Sequence, residues 1–527
     1  MVGRADGGEL VKDTFYITTP IYYVNDLPHI GHAYTTIAAD VLARWRRAHG
    51  DKVHFLTGTD EHGQKVARAA EQNGVDPQSW VDSIVERWQQ VWEQLDISND
   101  DFIRTTQERH TTPVQHLASR INDAGDIYLG SYEGLYCVAC EQFYTEAELV
   151  DGNCPIHGRP VEKVVERNWF FKLSAYADRL LELYRTHPEF VRPAGRLNEV
   201  ISFVEGGLDD LSISRSTFDW GVPVPWDPAQ VIYVWIDALP NYITAAGWDG
   251  DLERFERTWP ADVHFVGKDI LRFHAVIWPA LLMSAGLPVP KRVQAHGWLL
   301  VGGEKMSKTK LTGIAPADLV GPFGSDAVRY FFQREISFGQ DGNFSWEGMV
   351  DRYNADLANG LGNLASRVTS MVARYRDGVL PAPGPDGEAE AEVRKAAEQA
   401  YAEAAEAMGD LAYDRALASI WRLVQAANGY ISDRKPWELA KAGSDEELNT
   451  VLHTAAEALR VIALLSAPWL TKAAPVLWES IGADGELAGQ RLPEALAWGG
   501  LAPGARVTKS PALFPRRDAD GKVAGRS

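Results

Sequence analysis

Cysteine and long apolar runs are both scarce in this chain. Three cysteines occur among 527 residues, all between positions 137 and 154, and such an odd, clustered set is not typical of a disulfide framework. No apolar run approaches the roughly 18–20 residues that span a bilayer. Residues 1–13 carry charges and glycines rather than the apolar stretch of a signal peptide. These absences predict a cytoplasmic protein with no membrane partner.

An excess of positive charge is also absent. The chain contains 52 Lys and Arg residues against 72 Asp and Glu residues, a formal net charge of -20. This balance excludes a protein coated in basic residues for non-specific nucleic-acid binding, although a local patch can still bind a specific RNA. The hydrophobic fraction of 45% and the charged fraction of 24% are those of a globular protein. The length predicts about three or four domains.

The first part of the chain has the pattern of a nucleotide-binding sheet. Residues 14–19 and 53–57 read as strands that flank a helix from His32 to Arg47, an order that predicts a parallel, Rossmann-like α/β sheet. Strand patterns return at 231–236, 263–266 and 292–295. We therefore interpret residues 14–112 and 231–300 as two halves of one catalytic domain, with residues 113–230 inserted between them.

The last third of the chain is helical in pattern. Ala- and Leu-rich segments predict helices at 354–376, 389–408, 413–432 and 446–465. We expect residues 301–350 to form a lysine-containing loop and a connecting region, and residues 351–475 to form an all-α bundle. A tail follows at 476–527, and its last part, 498–527, is expected to be frayed because it lacks a regular period.

Two short motifs indicate a nucleotide site. His29, Gly31 and His32 stand at the start of the first predicted helix, where free N–H groups and the positive end of the helix dipole suit a triphosphate. Lys305 and Lys308, in the string Lys-Met-Ser-Lys-Thr, can stabilise charge that develops on moving phosphates. Each motif alone also fits a chance histidine turn or a solvated basic loop. Together they predict an ATP site.

The three cysteines form a metal-binding pattern. Cys137 and Cys140 are separated by two residues, as are Cys154 and His157. Two short ligand pairs on adjacent turns are what tetrahedral Zn²⁺ requires, and four protein ligands leave no open position for catalysis. The pattern predicts one structural zinc ion per chain. The alternative is three reduced buried thiols and a surface histidine.

The motifs occur within a longer resemblance. Over nearly its whole length the chain resembles the methionyl-tRNA synthetases, a family of class I aminoacyl-tRNA synthetases. The matching strings run in family order at 22–25, 58–63, 233–238, 267–270, 354–359, 361–364 and 435–437. One departure is Thr309, which stands where serine is commoner, followed by Lys310 to Gly313 in place of the usual Leu-Gly-Asn.

The resemblance implies a reaction and its residues. The family activates methionine with ATP and Mg²⁺, then transfers methionine to the terminal adenosine of tRNA(Met) without a covalent enzyme intermediate. By position, His29, His32, Lys305 and Lys308 are the catalytic and ATP-binding residues, together with Gly31. The implied methionine site comprises Ile21, Tyr23, Asp60, Trp235, Ala238, Tyr242, Ile270 and His274. Asp60 corresponds to the carboxylate that binds the ammonium group. Tyr23 and His274 are candidate hydrogen-bond donors to the sulfur.

The resemblance also implies RNA contacts. The inserted segment faces the tRNA acceptor end, the region after the lysine loop contacts the tRNA stem, and the helix bundle binds the anticodon. Asn363, Arg367 and Trp437 correspond to the anticodon-binding residues, and the first two share a helix face at i and i+4. Because no additional OB-like domain follows the bundle in this sequence, we expect a monomer.

Alternatives of three kinds remain open at this point: other class I synthetases with the same ATP motifs, a zinc-binding cysteinyl enzyme, and proteins that are not synthetases. Leucyl, isoleucyl and valyl enzymes share the ATP motifs, but they carry a large editing domain between them. A cysteinyl enzyme also binds zinc, but it lacks the strings that contain Trp235 and His274. A paralogue that activates methionine for another acceptor, or an RNA-binding protein with an inactive site, would differ in a charging assay.

Overall fold

The computed structural model describes residues 12–25, 27–138, 142–156, 158–301, 304–305 and 313–524. Its strands are β1 Thr14–Tyr23, β2 Lys52–Asp60, β3 Asp101–Arg104, β4 Ile127–Cys137, β5 Gln142–Tyr144, β6 Glu162–Phe171, β7 Val191–Arg192, β8 Leu211–Ser212, β9 Ser214–Arg215, β10 Pro223–Val224, β11 Asp227–Ile232, β12 Val263–Gly267, β13 Val293–His296, β14 Leu299–Val301, β15 Glu304–Lys305 and β16 Gly342–Phe344.

The α-helices are α1 Ile30–Ala48, α2 Gln64–Gln72, α3 Pro77–Gln94, α4 Glu108–Asp123, α5 Ala177–Thr186, α6 Ala194–Glu205, α7 Val234–Ala238, α8 Asn241–Ala246, α9 Leu252–Thr258, α10 Trp278–Ser284, α11 Pro316–Phe323, α12 Ser325–Glu335, α13 Trp346–Arg352, α14 Asn363–Arg376, α15 Glu388–Gly409, α16 Tyr413–Arg434, α17 Pro436–Ala442, α18 Asp445–Ser466 and α19 Ala473–Ser480. Two π-helical segments, Phe273–Ile277 and Tyr353–Gly362, precede α10 and α14.

The described chain divides into two compact units. The first comprises residues up to Pro28, Lys52–Gln90 and Asn99–His296, and the second comprises His29–Asp51, Val91–Ser98 and the residues from Gly297 onward.

The first unit is built on a six-stranded parallel sheet. Its strand order is β3-β2-β1-β12-β13-β7, so β1 lies in the middle between β2 and β12. Core residues such as Tyr16, Leu56 and Val266 are fully buried, as expected for a parallel sheet covered on both faces. The strand order reverses between β1 and β12, and in sheets of this class ligands bind at the carboxyl ends of the strands beside that reversal.

The prediction that residues 231–236 form a strand of the main sheet is wrong. The strand ends at Ile232 and belongs to a small antiparallel sheet of order β10-β11-β9, and the chain continues as α7. A short apolar run cannot be assigned to a buried strand or a buried helix from its pattern alone. The other edge of the main sheet is the two-residue strand β7, which gives too short a pattern to predict.

Between β3 and β11 the chain carries a separate antiparallel sheet of order β5-β4-β6-β8, whereas β7, from the same stretch, pairs with β13 of the main sheet. The strands β4 and β6 pair along their length, from Ile127 opposite Phe171 to Tyr136 opposite Glu162. Beyond the end of β4, the side chains of Cys137, Tyr144 and Cys154 form a small buried cluster.

The second unit contains α1, a three-stranded sheet of order β15-β14-β16 and the helices from α11 to α19. Helix α1 begins after His29, whose side chain accepts a hydrogen bond from the Gly31 N–H, and it ends with Arg46 and Arg47 in its last turn. Such caps stabilise both ends of a helix. The predicted helices at 389–408, 413–432 and 446–465 are confirmed as α15, α16 and α18 within two residues at each end.

The C-terminal tail is packed rather than frayed, so the prediction for 498–527 is wrong for the described residues to 524. Leu501, Val507 and Phe514 are buried. The buried carboxylate of Glu457 accepts hydrogen bonds from the backbone N–H groups at 499, 500 and 501. Single apolar anchors along an extended segment leave no periodic signal in the sequence.

Helix α18 is long and apolar enough to cross a membrane by composition alone. However, 94% of its apolar window is buried inside the structure, as in the central helix of a bundle.

Candidate active site and RNA-binding residues

Strands β1 and β2 place three of the predicted methionine-site residues together. In the parallel register, Ile21 pairs with Gly58 and Tyr23 pairs with Asp60, so all of these residues lie at the carboxyl ends of the two strands. Asp60 is 2% exposed. A carboxylate at this edge of the sheet offers a negative charge to which an ammonium group can bind.

Aromatic rings form one wall beside these strands. The rings of Tyr23 and Trp235 meet edge to face, with their centroids 6.3 Å apart. On its other side, Trp235 stacks on Phe273 at 3.9 Å. Ala238, one turn after Trp235 on α7, is 4% exposed. Phe273 was not among the predicted pocket residues, although its place immediately before His274 was an available signal.

The polar part of the predicted pocket is a fixed hydrogen-bond chain. The Nδ1 of His274 lies 3.0 Å from the carbonyl of Ile270, and its Nε2 lies 2.8 Å from the hydroxyl of Tyr242. A carbonyl only accepts, so Nδ1 carries the proton and Nε2 accepts from Tyr242. Burial lowers the pKa of His274 to about 4, which keeps the ring neutral. Both nitrogens are therefore engaged within the protein, and the idea that His274 donates to a sulfur does not fit this arrangement.

The residue after Asp60 is held from several directions. The carboxylate of Glu61 accepts hydrogen bonds from Arg104 Nε at 2.7 Å and Nη2 at 3.0 Å. It also accepts bonds from the hydroxyls of Thr59 and Thr106. Such charge-assisted, bidentate bonds are strong and directional. They fix the chain at the point where β2 ends and Asp60 stands.

In the second unit, the predicted ATP-binding histidines form a pair. The rings of His29 and His32 stack with centroids 3.7 Å apart. His29 Nδ1 accepts from the N–H of Gly31, and His32 Nδ1 accepts from the N–H of His29. A backbone N–H only donates, so both neutral rings carry their proton on Nε2. Two Nε2–H donors at a helix N-terminus are suited to hydrogen bonding with phosphate oxygens.

The lysine motif is only partly described. The backbone of Lys305 lies in β15, opposite Leu300 of β14. Lys308 lies outside the described residues, as do two of the four predicted zinc ligands, Cys140 and His157. Among the described residues, no group of three or more His, Cys, Asp or Glu side chains is placed to hold a metal ion. Cys137 and Cys154 are both buried in the cluster with Tyr144.

The structure brings together two of the three predicted anticodon residues. The guanidinium of Arg367 lies 6.0 Å from the centre of the Trp437 indole ring. Trp437 is the second residue of α17 and is 44% exposed. Asn363 begins α14 one turn before Arg367 and is exposed. An exposed indole beside a guanidinium offers a surface on which a splayed base can stack.

A cavity of about 390 Å³ opens beside Asn363 within the helix bundle. Its lining is rich in amide side chains and comprises Ala355, Asp356, Asn359, Gly360, Asn363, Trp421, Val424, Gln425 and Asn428. Amides both donate and accept hydrogen bonds, which suits the edges of nucleobases.

The chain matches two family models along most of its length. The family model described as "tRNA synthetases class I (M)" matches residues 15–165 and 148–369, and the model of the "Anticodon binding domain of methionyl tRNA ligase" matches residues 380–523. The chain belongs to the methionyl-tRNA synthetase family. The matching models are those of the methionine enzymes, so the leucyl, isoleucyl, valyl and cysteinyl alternatives are set aside.

Individual relatives agree with the family models. A methionine–tRNA ligase of Streptomyces coelicolor is 55% identical over 518 residues, which cover 95% of this chain and 96% of the relative. That of Caldanaerobacter subterraneus is 51% identical over 98% of this chain and 80% of the relative. Mycobacterium tuberculosis methionyl-tRNA synthetase in complex with methionyl-adenylate superimposes with a TM-score of 0.92, at 46% identity over 96% of this chain and all of that chain. The apo form of the same enzyme gives a TM-score of 0.86 at 43% identity, over 96% of this chain and 99% of that chain.

Proposed function

We infer that this chain is a methionine–tRNA ligase. It activates L-methionine with ATP to methionyl-adenylate and diphosphate, and then transfers methionine to the 3′-terminal adenosine of tRNA(Met) for initiation and elongation of translation. The observation that carries this inference is the 55% identity, over nearly the whole of both chains, to a methionine–tRNA ligase. The arrangement of Tyr23, Asp60 and Trp235 supports it.

The chain's own residues supply binding and charge. Asp60 holds the ammonium group of methionine, while Tyr23 and Trp235 form an aromatic wall against which the unbranched thioether packs. The Nε2–H groups of His29 and His32 bind phosphate oxygens of ATP, which enters with its Mg²⁺. Lys305 and Lys308 stabilise the charge that develops as diphosphate leaves. Activation needs no enzyme nucleophile, because the methionine carboxylate itself attacks the α-phosphorus; catalysis is positioning and electrostatic stabilisation.

We also propose a structural zinc ion in the inserted segment. The donor set of Cys137, Cys140, Cys154 and His157 has the chemistry and the pairwise spacing that tetrahedral zinc requires. Cys137 and Cys154 are already buried together beside Tyr144. The ion would hold the turns at the tip of this segment, and no step of the reaction depends on it.

The anticodon contacts, the oligomeric state and the compartment are further parts of the proposal. Asn363, Arg367 and Trp437 bind the anticodon of tRNA(Met), supported by the contact between Arg367 and Trp437. We propose a cytoplasmic monomer with no membrane partner.

Amino-acid-dependent exchange between ATP and diphosphate, run over a panel of amino acids, tests the inference. We expect exchange with methionine alone, and we expect the Asp60→Asn variant to lose it. Charging of tRNA(Met) then separates a ligase from a paralogue that feeds methionine to another acceptor. Exchange that depends on another amino acid would overturn the pocket assignment, and exchange without tRNA charging would overturn the ligase assignment.

A further inference from the structure

A buried carboxylate lies between two histidines behind the predicted methionine pocket. Asp237 Oδ2 accepts a hydrogen bond from His62 Nδ1 at 2.6 Å, and Asp237 Oδ1 accepts one from His110 Nε2 at 3.0 Å. The Asp237 and His110 side chains are fully buried, and that of His62 is 7% exposed. The three residues come from three separate segments of the first unit, and the proposed function does not use them.

The hydrogen-bond partners of His110 show which of its ring nitrogens carries a proton. His110 Nε2 also lies 3.0 Å from the backbone carbonyl of Asp237, so it faces two acceptors and must carry a proton. Burial alone would raise the pKa of Asp237, but the charge of His62 and the hydrogen bonds from both histidines outweigh it and lower the pKa to about 2. The carboxylate is therefore ionised and uses both of its oxygens.

The position of this carboxylate connects it to the pocket. Asp237 lies between Trp235 and Ala238 on α7, a helix of five residues that has few hydrogen bonds of its own to fix it. His62 stands two residues after Asp60, where β2 has ended and the chain is irregular. The bond from His62 to Asp237 therefore ties the segment that carries Asp60 to the helix that carries Trp235.

We propose that Asp237 is a positioning residue for methionine binding, which sets the Asp60 carboxylate at a fixed distance from the Trp235 and Ala238 side of the pocket through its bonds to His62 and His110. The proposal rests on the proposed function. Misplacement of a binding group by about 1 Å can reduce a rate about 100-fold. Loss of the hydrogen bond between His62 and Asp237 should weaken methionine binding and leave ATP binding by the motifs of the second unit unchanged.

Steady-state ATP–diphosphate exchange of Asp237→Asn provides the first test. The amide presents one N–H₂ group to a histidine N–H, so one of the two bonds is lost. We expect the KM for methionine to rise at least tenfold while the KM for ATP stays within twofold. The matched control is Asp126→Asn, which removes a carboxylate of the same unit that accepts from the hydroxyls of Tyr176 and Ser284; we expect it to keep both KM values.

Rescue variants separate positioning from general stability. Asparagine places an N–H donor where His62 Nδ1 stands, and glutamine places one where His110 Nε2 stands. We therefore expect His62→Asn and His110→Gln to bind methionine within about threefold of the wild type by calorimetry. We expect the affinity for methionine to fall at least tenfold in His62→Ala and in His110→Ala. These pairs decide the question even if Asp237→Asn does not fold.

Equal methionine affinity in His62→Asn and His62→Ala would overturn the positioning role, as would a KM for ATP that rises together with the KM for methionine. The wild type is measured first. If it shows no methionine-dependent exchange, the proposed function fails and the positioning role falls with it, whereas a normal wild type with an unaffected Asp237→Asn variant refutes the positioning role alone.

Discussion

The carboxylate of Asp40 accepts a hydrogen bond from Arg329 Nη2 at 2.6 Å, and neither side chain is exposed. Arg329 also donates to the backbone carbonyls of Leu95, Pro468 and Trp469. The pair thus joins α1, which begins at the ATP-motif histidines, to the chain that follows α18 in the same unit. Burial favours a raised pKa for Asp40, but the charges of Arg329 and Arg44 outweigh it and lower the pKa to about 2.

We expect Asp40→Asn to lower the free energy of unfolding by about 3–5 kcal/mol, because it leaves the guanidinium of Arg329 buried without a compensating charge. Urea unfolding followed by circular dichroism measures the change. The control is Glu335→Gln, which removes a half-exposed partner of Arg352 and should cost no more than about 1 kcal/mol. An Asp40→Asn variant as stable as this control would contradict the prediction.

The neutral, buried His274 makes stability depend on pH. An unfolded chain protonates this histidine below about pH 6.5, whereas the folded chain does so only near pH 4 because burial lowers the pKa of the ring. The contribution of the neutral His274 to the free energy of unfolding is therefore fully present above about pH 6.5 and is lost as the pH falls towards 4.

From this pKa shift we expect protonation of His274 to lower the free energy of unfolding by about 3 kcal/mol between pH 7 and pH 4. Urea unfolding at a series of pH values measures it, with His274→Asn as the comparison, since asparagine keeps an N–H donor for the carbonyl of Ile270. The same slope in both proteins would show that other groups cause the dependence.

Trp437→Ala should separate the two half-reactions. The exposed indole beside Arg367 is available to a base and contributes little to the core, and loss of base stacking costs about 1–3 kcal/mol. We expect tRNA charging efficiency to fall at least tenfold, with unchanged methionine-dependent exchange. Trp437→Phe keeps an aromatic face, so its tRNA charging efficiency should lie between that of the wild type and that of Trp437→Ala. Equal losses in both reactions would favour a packing role for the indole.

Removal of zinc should loosen the inserted segment. We expect one zinc ion per chain in the purified protein, and a chelator should increase amide exchange around β4 to β6 and slow tRNA charging more than methionine activation. Cys137→Ser should reproduce this result without a chelator. Active protein that contains no zinc would refute the metal site.

The long helices and the family could be predicted from the sequence because both leave strong local signals. The helices α15, α16 and α18 repeat apolar residues at helical spacing over about twenty residues, so their limits were predicted closely. The pocket residues were predicted through the family resemblance, since Trp235 or Ile270 alone has the pattern of an ordinary core residue.

The missed features share a physical cause: they depend on partners far away in the chain. His62, His110 and Asp237 meet only in the folded unit, and no spacing rule connects them. The tail was misjudged because Glu457, on a distant helix, supplies the bonds that fix it. The apolar run at 231–236 changes from strand to helix at a point that only its neighbours determine.

The central position of β1 has a consequence for the order of folding. One edge of β1 pairs with the nearby β2, but its other edge pairs with β12, where Ile17 lies opposite Val263. During synthesis on the ribosome, that second edge must wait until the whole inserted segment has emerged. Long-range parallel pairing is slow, and an unpaired apolar edge invites association with other chains. The nascent chain therefore passes through a period in which its sheet is half built. Once β12 has emerged, pairing of β4 with β6 shortens the effective loop between β1 and β12 and so lowers the entropic cost of joining them.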